Sequence, residues 1–137
     1  MKITVSLTET AIPARPWSPP GEGAHGALAE FHGIVRGTED GTPIGGLRYR
    51  AYTGMAEKQT VRILRELGGE HPCHAACVVH RTGDIPVGET AVYAGVAAAH
   101  RAEAFALLSA FMDRLKQDVP IWKVGVLPLP APDSISE

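Results

Sequence analysis

The stretch TAVYAGVAAAHRAEAFALLSAFMDRLK, Thr90 to Lys116, changes its period halfway along. Thr90 to Ala99 is an apolar run of strand length. From His100 onward the spacing is helical: Phe105, Leu108, Met112 and Leu115 form one apolar stripe, which ends before Pro120. A strand handing directly to an amphipathic helix predicts helices laid on a sheet. At the junction, His100-Arg101, unpaired backbone N–H groups and the helix dipole favour an anion.

The flanking sequence extends the pattern. Ile3, Val5 and Leu7 alternate with polar residues, as a half-buried strand requires. In Ala27 to Arg36, Ala29, Phe31, Gly33 and Val35 share one face, and Glu30, His32, Ile34 and Arg36 the other. The turn-rich GTEDGTPIGG leads to a third strand, Leu47 to Tyr52. A first helix is expected from Met55 to Leu67, with Thr53 as N-cap and Gly68-Gly69 as stop. His74 to Arg81 reads as a strand, joined to Thr90 by the turn sequence TGDIPVGE. The order β-β-β-α-β-β-α predicts an α+β, two-layer sandwich of mostly antiparallel sheet with two main helices. Seven of the 11 prolines fall at either flank, so one domain over 1–137 is expected, with irregular segments at about 12–23 and 124–137.

Composition excludes several classes. With 13 Lys+Arg against 15 Asp+Glu, the net charge of -2 leaves no basic surplus for nucleic acid. Two cysteines four residues apart, Cys73 and Cys77, do not make a disulfide scaffold. No run reaches a membrane-spanning length, and MKITVSLTET reads as a strand rather than a leader. A cytoplasmic protein with no membrane partner is the expectation.

Three groups of residues merit weighing. Gly21-Glu-Gly23-Ala-His25-Gly26 is formally G-x-G-x-x-G, but it follows Pro19-Pro20 and opens a strand, so a flexible loop explains it better than a dinucleotide site. His71-Pro-Cys73-His74-Ala-Ala-Cys77 holds zinc-binding residue types. In an extended segment, however, Cys73 and Cys77 share a face and His74 points away, so burial is favoured over a metal. The third group is dispersed: Arg36 at a strand end, His100-Arg101 at the strand-to-helix junction, Lys116 closing the helix and Lys123 in Pro120-Ile-Trp122-Lys123. Each alone reads as a solvated cation, and Trp122 as core or interface. Together they suggest an anionic, phosphate-bearing small ligand gripped by Arg and worked on by Lys, whose pKa burial or neighbouring cations would lower.

These blocks also resemble a known family. Phe31-His-Gly33-Ile-Val35-Arg36, Leu47-Arg-Tyr49-Arg-Ala51-Tyr52 with Met55-Ala56-Glu57-Lys58, His80-Arg81-Thr-Gly83 with Val87-Gly88-Glu89, His100-Arg101-x-x-Ala104-Phe105, and Asp113-Arg-Leu115-Lys116 with Pro120-Ile-Trp122-Lys123 look like the large, catalytic subunit of molybdopterin synthase, in order from Gly26 to Lys123. The resemblance implies an α/β hammerhead-type fold and a homodimer that forms a heterotetramer with a small ubiquitin-like sulfur carrier. The carrier's C-terminal Gly-Gly thiocarboxylate would give sulfur to cyclic pyranopterin monophosphate, forming the molybdopterin dithiolene. It further implies Lys116 and Lys123 as catalytic residues and Arg36, His100 and Arg101 as substrate-binding residues, all five in one pocket. No cofactor or metal is implied, and the cysteines have no role because the sulfur arrives with the partner.

The chain departs from the family pattern in four places. Arg50 stands where an acidic residue is common, and Val79 where a second His often precedes His80. Val124-Gly125 replaces a basic residue and Glu, and Ile12 to Gly23 is Pro-rich where a short helix is usual. Two rival readings stay open: a non-catalytic module that binds the carrier's Gly-Gly tail, and a phosphate-ligand enzyme of different chemistry on the same fold.

Overall fold

The computed structural model describes residues 1–131. Nine strands and two helices follow one another as β1 (Lys2–Thr8), β2 (Ala27–Ile34), β3 (Thr38–Glu39), β4 (Thr42–Pro43), β5 (Gly46–Ala51), α1 (Thr53–Glu70), β6 (Ala75–Arg81), β7 (Gly83–Pro86), β8 (Thr90–Ala98), α2 (Arg101–Asp118) and β9 (Ile121–Leu127). A four-stranded sheet runs β1-β6-β8-β2; β1 and β6 are parallel, and the other pairs antiparallel. A three-stranded antiparallel sheet runs β7-β5-β9, and β3 with β4 makes a separate hairpin. The α+β class with two main helices is as expected. Among the described residues no helix is long and apolar enough to cross a membrane.

The strand β8 is apolar at almost every position because both of its faces are covered. Val92, Ala94, Val96 and Ala98 join Ile63, Leu64 and Leu67 of α1 and Leu107, Leu108 and Phe111 of α2 in the main core. On the opposite face Tyr93 and Cys77 meet Ile12 and Trp17 of the Pro-rich segment, with Val79 packed beside them. Gly95 makes this second layer possible. A Cβ there would lie 2.3 Å from the Tyr93 hydroxyl and 2.9 Å from the Trp17 ring. The Tyr93 hydroxyl itself donates to Glu30 at 2.6 Å. A smaller core of Val35, Ile44, Leu47, Ile85 and Ala91 joins the two larger sheets.

Five expectations about elements need correction. The α1 helix runs through Gly68-Gly69 to Glu70, and the His71 N–H closes it on the Leu67 carbonyl at 2.8 Å. Packing overrides propensity here, since Leu67 is buried and the Met1 side chain lies where a Gly68 Cβ would stand, 2.7 Å away. Thr53 is the first helical residue, not the cap, and Tyr52 in the cap position makes no side-chain bond. The buried stripe of α2 is Ala104, Leu107, Leu108, Phe111 and Leu115, while Phe105 is 62% exposed. Both stripes have helical spacing, and the sheet selects the one with the small Ala104 beneath it. Finally, two segments expected to be irregular are strands: Gly83–Pro86 pairs with β5, and residues 124–127 belong to β9. Residues 132–137 of the expected irregular tail lie outside the described residues.

Candidate active site

A cavity of about 300 Å³ opens where β2, β5, β9 and the C-terminal end of α2 converge. Its walls are partly apolar, with Phe31, Val35, Leu47 and Met112 among them, and three cations border it: Arg36, Lys116 and Lys123. Each arrives by a separate route. The β2–β8 register slips by one between Gly33 and Ile34, after which the chain leaves the sheet and carries Arg36 to the cavity. Lys116 lies in the last turn of α2, where a cation also complements the helix dipole. Lys123 sits on β9 opposite Tyr49 of β5. Three of the five site residues expected from sequence therefore meet.

Lys123 is not free. Its ammonium donates to the Glu39 carboxylate, which the β3–β4 hairpin brings across the cavity. That hydrogen bond and ion pair hold the Lys123 pKa above its ordinary value, outweighing the effect of burial. The expected depressed lysine pKa is thus reversed at this residue. With a carboxylate beside it Lys123 is a fixed positive charge and hydrogen-bond donor that neither gives up its proton readily nor serves as a base.

His80 also lines the cavity, and the sequence reading gave it no site role. It is 7% exposed, its ring lies edge-on to Tyr49 with centroids 5.4 Å apart, and its Nδ1 sits 2.8 Å from the Arg81 carbonyl. A carbonyl only accepts, so Nδ1 carries the proton and Nε2 is left as an acceptor. Burial pushes the His80 pKa down against that hydrogen bond, which favours neutral imidazole. A histidine inside the apolar run ACVVH was the available signal, because a buried imidazole needs a partner or a task.

His100 and Arg101 lie at the other end of α2. Both are exposed, and His100 borders a shallow hollow with Pro72, Cys73, His74 and Glu103. Fifteen residues of helix separate Arg101 from Lys116, about 22 Å. One chain does not bring all five residues into one pocket.

The remaining candidates lie elsewhere. Both thiols are pushed up to about 11, chiefly by burial, so they are protonated at neutral pH. The Cys73 thiol donates to the Glu103 carbonyl at 3.5 Å. His25 and His74 face each other, Nδ1 to Nδ1 at 2.9 Å, while His25 Nε2 lies 2.5 Å from the Pro20 carbonyl. Among the described residues no group of three or more His, Cys, Asp or Glu is placed to hold a metal ion. Arg50 borders a separate polar groove beside the Arg48–Asp84 pair, 2.6 Å apart. Trp122 packs edge-on against Tyr52, with centroids 5.1 Å apart, and does not line the cavity.

Two lysines and an arginine around one small cavity, with the Glu39 carboxylate among them, give this α+β scaffold a local excess of positive charge that favours an anion. Residues 7–118 match the family model described as MoaE protein, and the chain belongs to that family. It is 40% identical over 103 residues to a molybdopterin synthase catalytic subunit from Oryza sativa subsp. indica, covering 75% of this chain and 53% of that protein. A protein of the same name from Pseudomonas aeruginosa is 40% identical over 98 residues, 72% of this chain and 65% of its own. The matched stretches thus span between half and two thirds of the length of these relatives. Among solved structures, molybdopterin synthase from Staphylococcus aureus superposes with a TM-score of 0.79 at 30% identity, covering 86% of this chain and 87% of that one.

Proposed function

We propose that this chain is the catalytic subunit of a molybdopterin synthase, a cytoplasmic sulfurtransferase. It moves sulfur from the C-terminal thiocarboxylate of a small ubiquitin-like carrier to cyclic pyranopterin monophosphate. One observation carries the reading: Arg36, Lys116 and Lys123 reach a single cavity from three different elements. Donor and acceptor are both anionic, so their approach is opposed by Coulomb repulsion, and closely placed cations offset it. Lys123, held cationic, steadies the thiocarboxylate end. Lys116, which has no carboxylate bonded to it among the described residues, donates the proton to the departing oxygen. The part-apolar wall of Phe31 and Met112 suits the flat pterin.

His100 and Arg101 enter this scheme through a second copy of the chain. Their distance from Lys116 along α2 fits a homodimer in which one protomer supplies the lysines and the other holds the phosphate at its helix N-terminus. With the carrier bound, the assembly is a heterotetramer.

The test mixes the protein with thiocarboxylated carrier and cyclic pyranopterin monophosphate and assays dithiolene formation. Product at a rate that depends on both substrates is expected. Carrier binding without product would overturn the enzyme reading and leave a non-catalytic module that grips the Gly-Gly tail.

A further inference from the structure

Glu39 stands inside the cavity, and the reaction proposed above gives it no task. It rides on the smallest element of the fold. Only two residue pairs, Thr38 with Pro43 and Glu39 with Thr42, join the two strands of its hairpin. The turn residues Asp40 and Gly41 have φ of 51° and 80°, the left-handed conformation a two-residue hairpin turn requires. Neither strand is hydrogen-bonded into the two larger sheets. At its root the hairpin is closed by the Ile44 N–H on the Gly37 carbonyl at 3.0 Å, with Ile44 buried. Beyond that root, the bond from Lys123 to Glu39 ties the hairpin to β9.

We infer that Glu39 is an internal competitor for the anion site: its carboxylate occupies Lys123 and must be displaced before an anionic chain end binds there. The inference rests on the carrier-tail reading of the cavity. A carboxylate on the lysine ammonium has the charge and two-acceptor shape of the expected ligand, so the two groups exclude each other at one Nζ. Displacement weakens every incoming anion by a similar factor. A ligand with contacts further along its chain still binds tightly after that loss, whereas a small free anion such as phosphate is held only at high concentration. The side chain is well placed for exchange, since Glu39 is 25% exposed and its hairpin is short enough to open without disturbing either core.

The test is calorimetric titration of the full chain with two probes, inorganic pyrophosphate and a synthetic peptide ending in Gly-Gly carboxylate. In Glu39→Gln both probes should bind about tenfold tighter, the effect of removing one negative charge a few ångströms from the ligand in a half-exposed site. Asp40→Asn removes a charge from the same hairpin that makes no bond to Lys123 and acts on it only weakly through space, and should change either affinity by less than about twofold. A second reading needs no variant. In the wild-type protein, saturating pyrophosphate should speed amide exchange in residues 38–43, because the clasp is released. Equal affinities for wild type and Glu39→Gln would overturn the inference. So would equal gains from Asp40→Asn and Glu39→Gln, or slower exchange in the liganded hairpin. None of these measurements involves sulfur transfer, so a failure of the synthase reading and a failure of this one are separately visible.

Discussion

The two ends of α2 carry the same kind of side chain in opposite settings. At the C-terminal end Lys116 borders the cavity with Arg36, Lys123, His80 and Tyr49. At the N-terminal end His100 and Arg101 stand on open surface, with free helix N–H groups beside them. Cationic charge is present at both ends, but only at the lysine end do three cations share one cavity. The proposed function assigns chemistry to the lysine end and anion capture to the other, which the structure places about 22 Å apart along one helix.

The sharpest way to break that division is to remove one member of each half. Lys116→Ala should lower dithiolene formation by at least about 100-fold, the usual scale for losing a proton donor, with carrier binding kept within a few fold. Arg101→Ala should be similarly inactive alone. If the halves meet across a dimer, mixing the two inactive variants and letting subunits exchange restores one intact site per mixed dimer, about a quarter of wild-type activity. Steady-state assays of the single and mixed proteins check this. No recovery after verified exchange would mean that each chain works with its own residues, and that the N-terminal end of α2 is not part of the site.

The next comparison is between two aromatic side chains of the same helix. Phe111 is 1% exposed and touches the sheet, whereas Phe105 is 62% exposed. Phe111→Ala should cost about 3–5 kcal/mol, the transfer loss plus the cavity left behind. Phe105→Ser should stay within about 0.5 kcal/mol for the isolated chain. Urea denaturation of both variants measures the difference. A large loss at Phe105 would mean that this apolar face is already covered, by a second copy, in the folded protein.

That pair also marks how far the sequence was legible. Periodicity located the strands β1, β2, β5, β6 and β8 and both helices, because alternation and helical spacing are written directly in residues 2–8, 27–35 and 90–116. It did not choose between the Phe105 and Phe111 stripes, because both repeat at helical spacing and only the facing sheet distinguishes them. Short strands such as Gly83–Pro86 were hidden under turn formers, since pairing with β5 rather than propensity makes them. Among the site residues, Arg36, Lys116 and Lys123 were marked by residue type and element ends. Glu39 was not marked at all. An acidic residue in the turn sequence GTEDGT reads as solvated, and only the tertiary fold puts it on Lys123. The wide separation of His100 from Lys116 followed directly from helix length and was available in the sequence.

A smaller effect separates the buried imidazole from the exposed ones. Burial lowers the His80 pKa in the folded protein below its ordinary value of 6.5. Below that pH the unfolded chain takes up a proton at His80 that the folded chain refuses. Stability from this group is thus complete above about pH 6.5 and falls as the pH drops, with a slope limited to about 1.4 kcal/mol per unit. His80→Asn should flatten the wild-type stability profile between pH 6.5 and 5.5 by up to about 1 kcal/mol. Chemical denaturation at a series of pH values compares the two. Identical profiles for wild type and His80→Asn would show that burial does not lower the pKa of this imidazole.

The smallest expected effect concerns sulfur itself. Cys73 packs against the main core near the N-terminal end of α2 and Cys77 on the opposite face of the sheet, and neither lines the cavity. With their pKa values raised to about 11 they present almost no thiolate at neutral pH, and thiolate is the form that attacks. A sulfur relay through either thiol would need both a reactive form and a path to Lys123, and the geometry offers neither. Cys73→Ala and Cys77→Ala should each keep dithiolene formation within about twofold, after correction for any loss of folded protein at the buried Cys77. In the wild-type protein, disulfide-exchange reagents should label both residues slowly at pH 7.5 and faster as the pH approaches 11. Loss of turnover in a folded Cys73→Ala protein would move part of the sulfur chemistry to the His100 end of α2 and dissolve the contrast between its two ends.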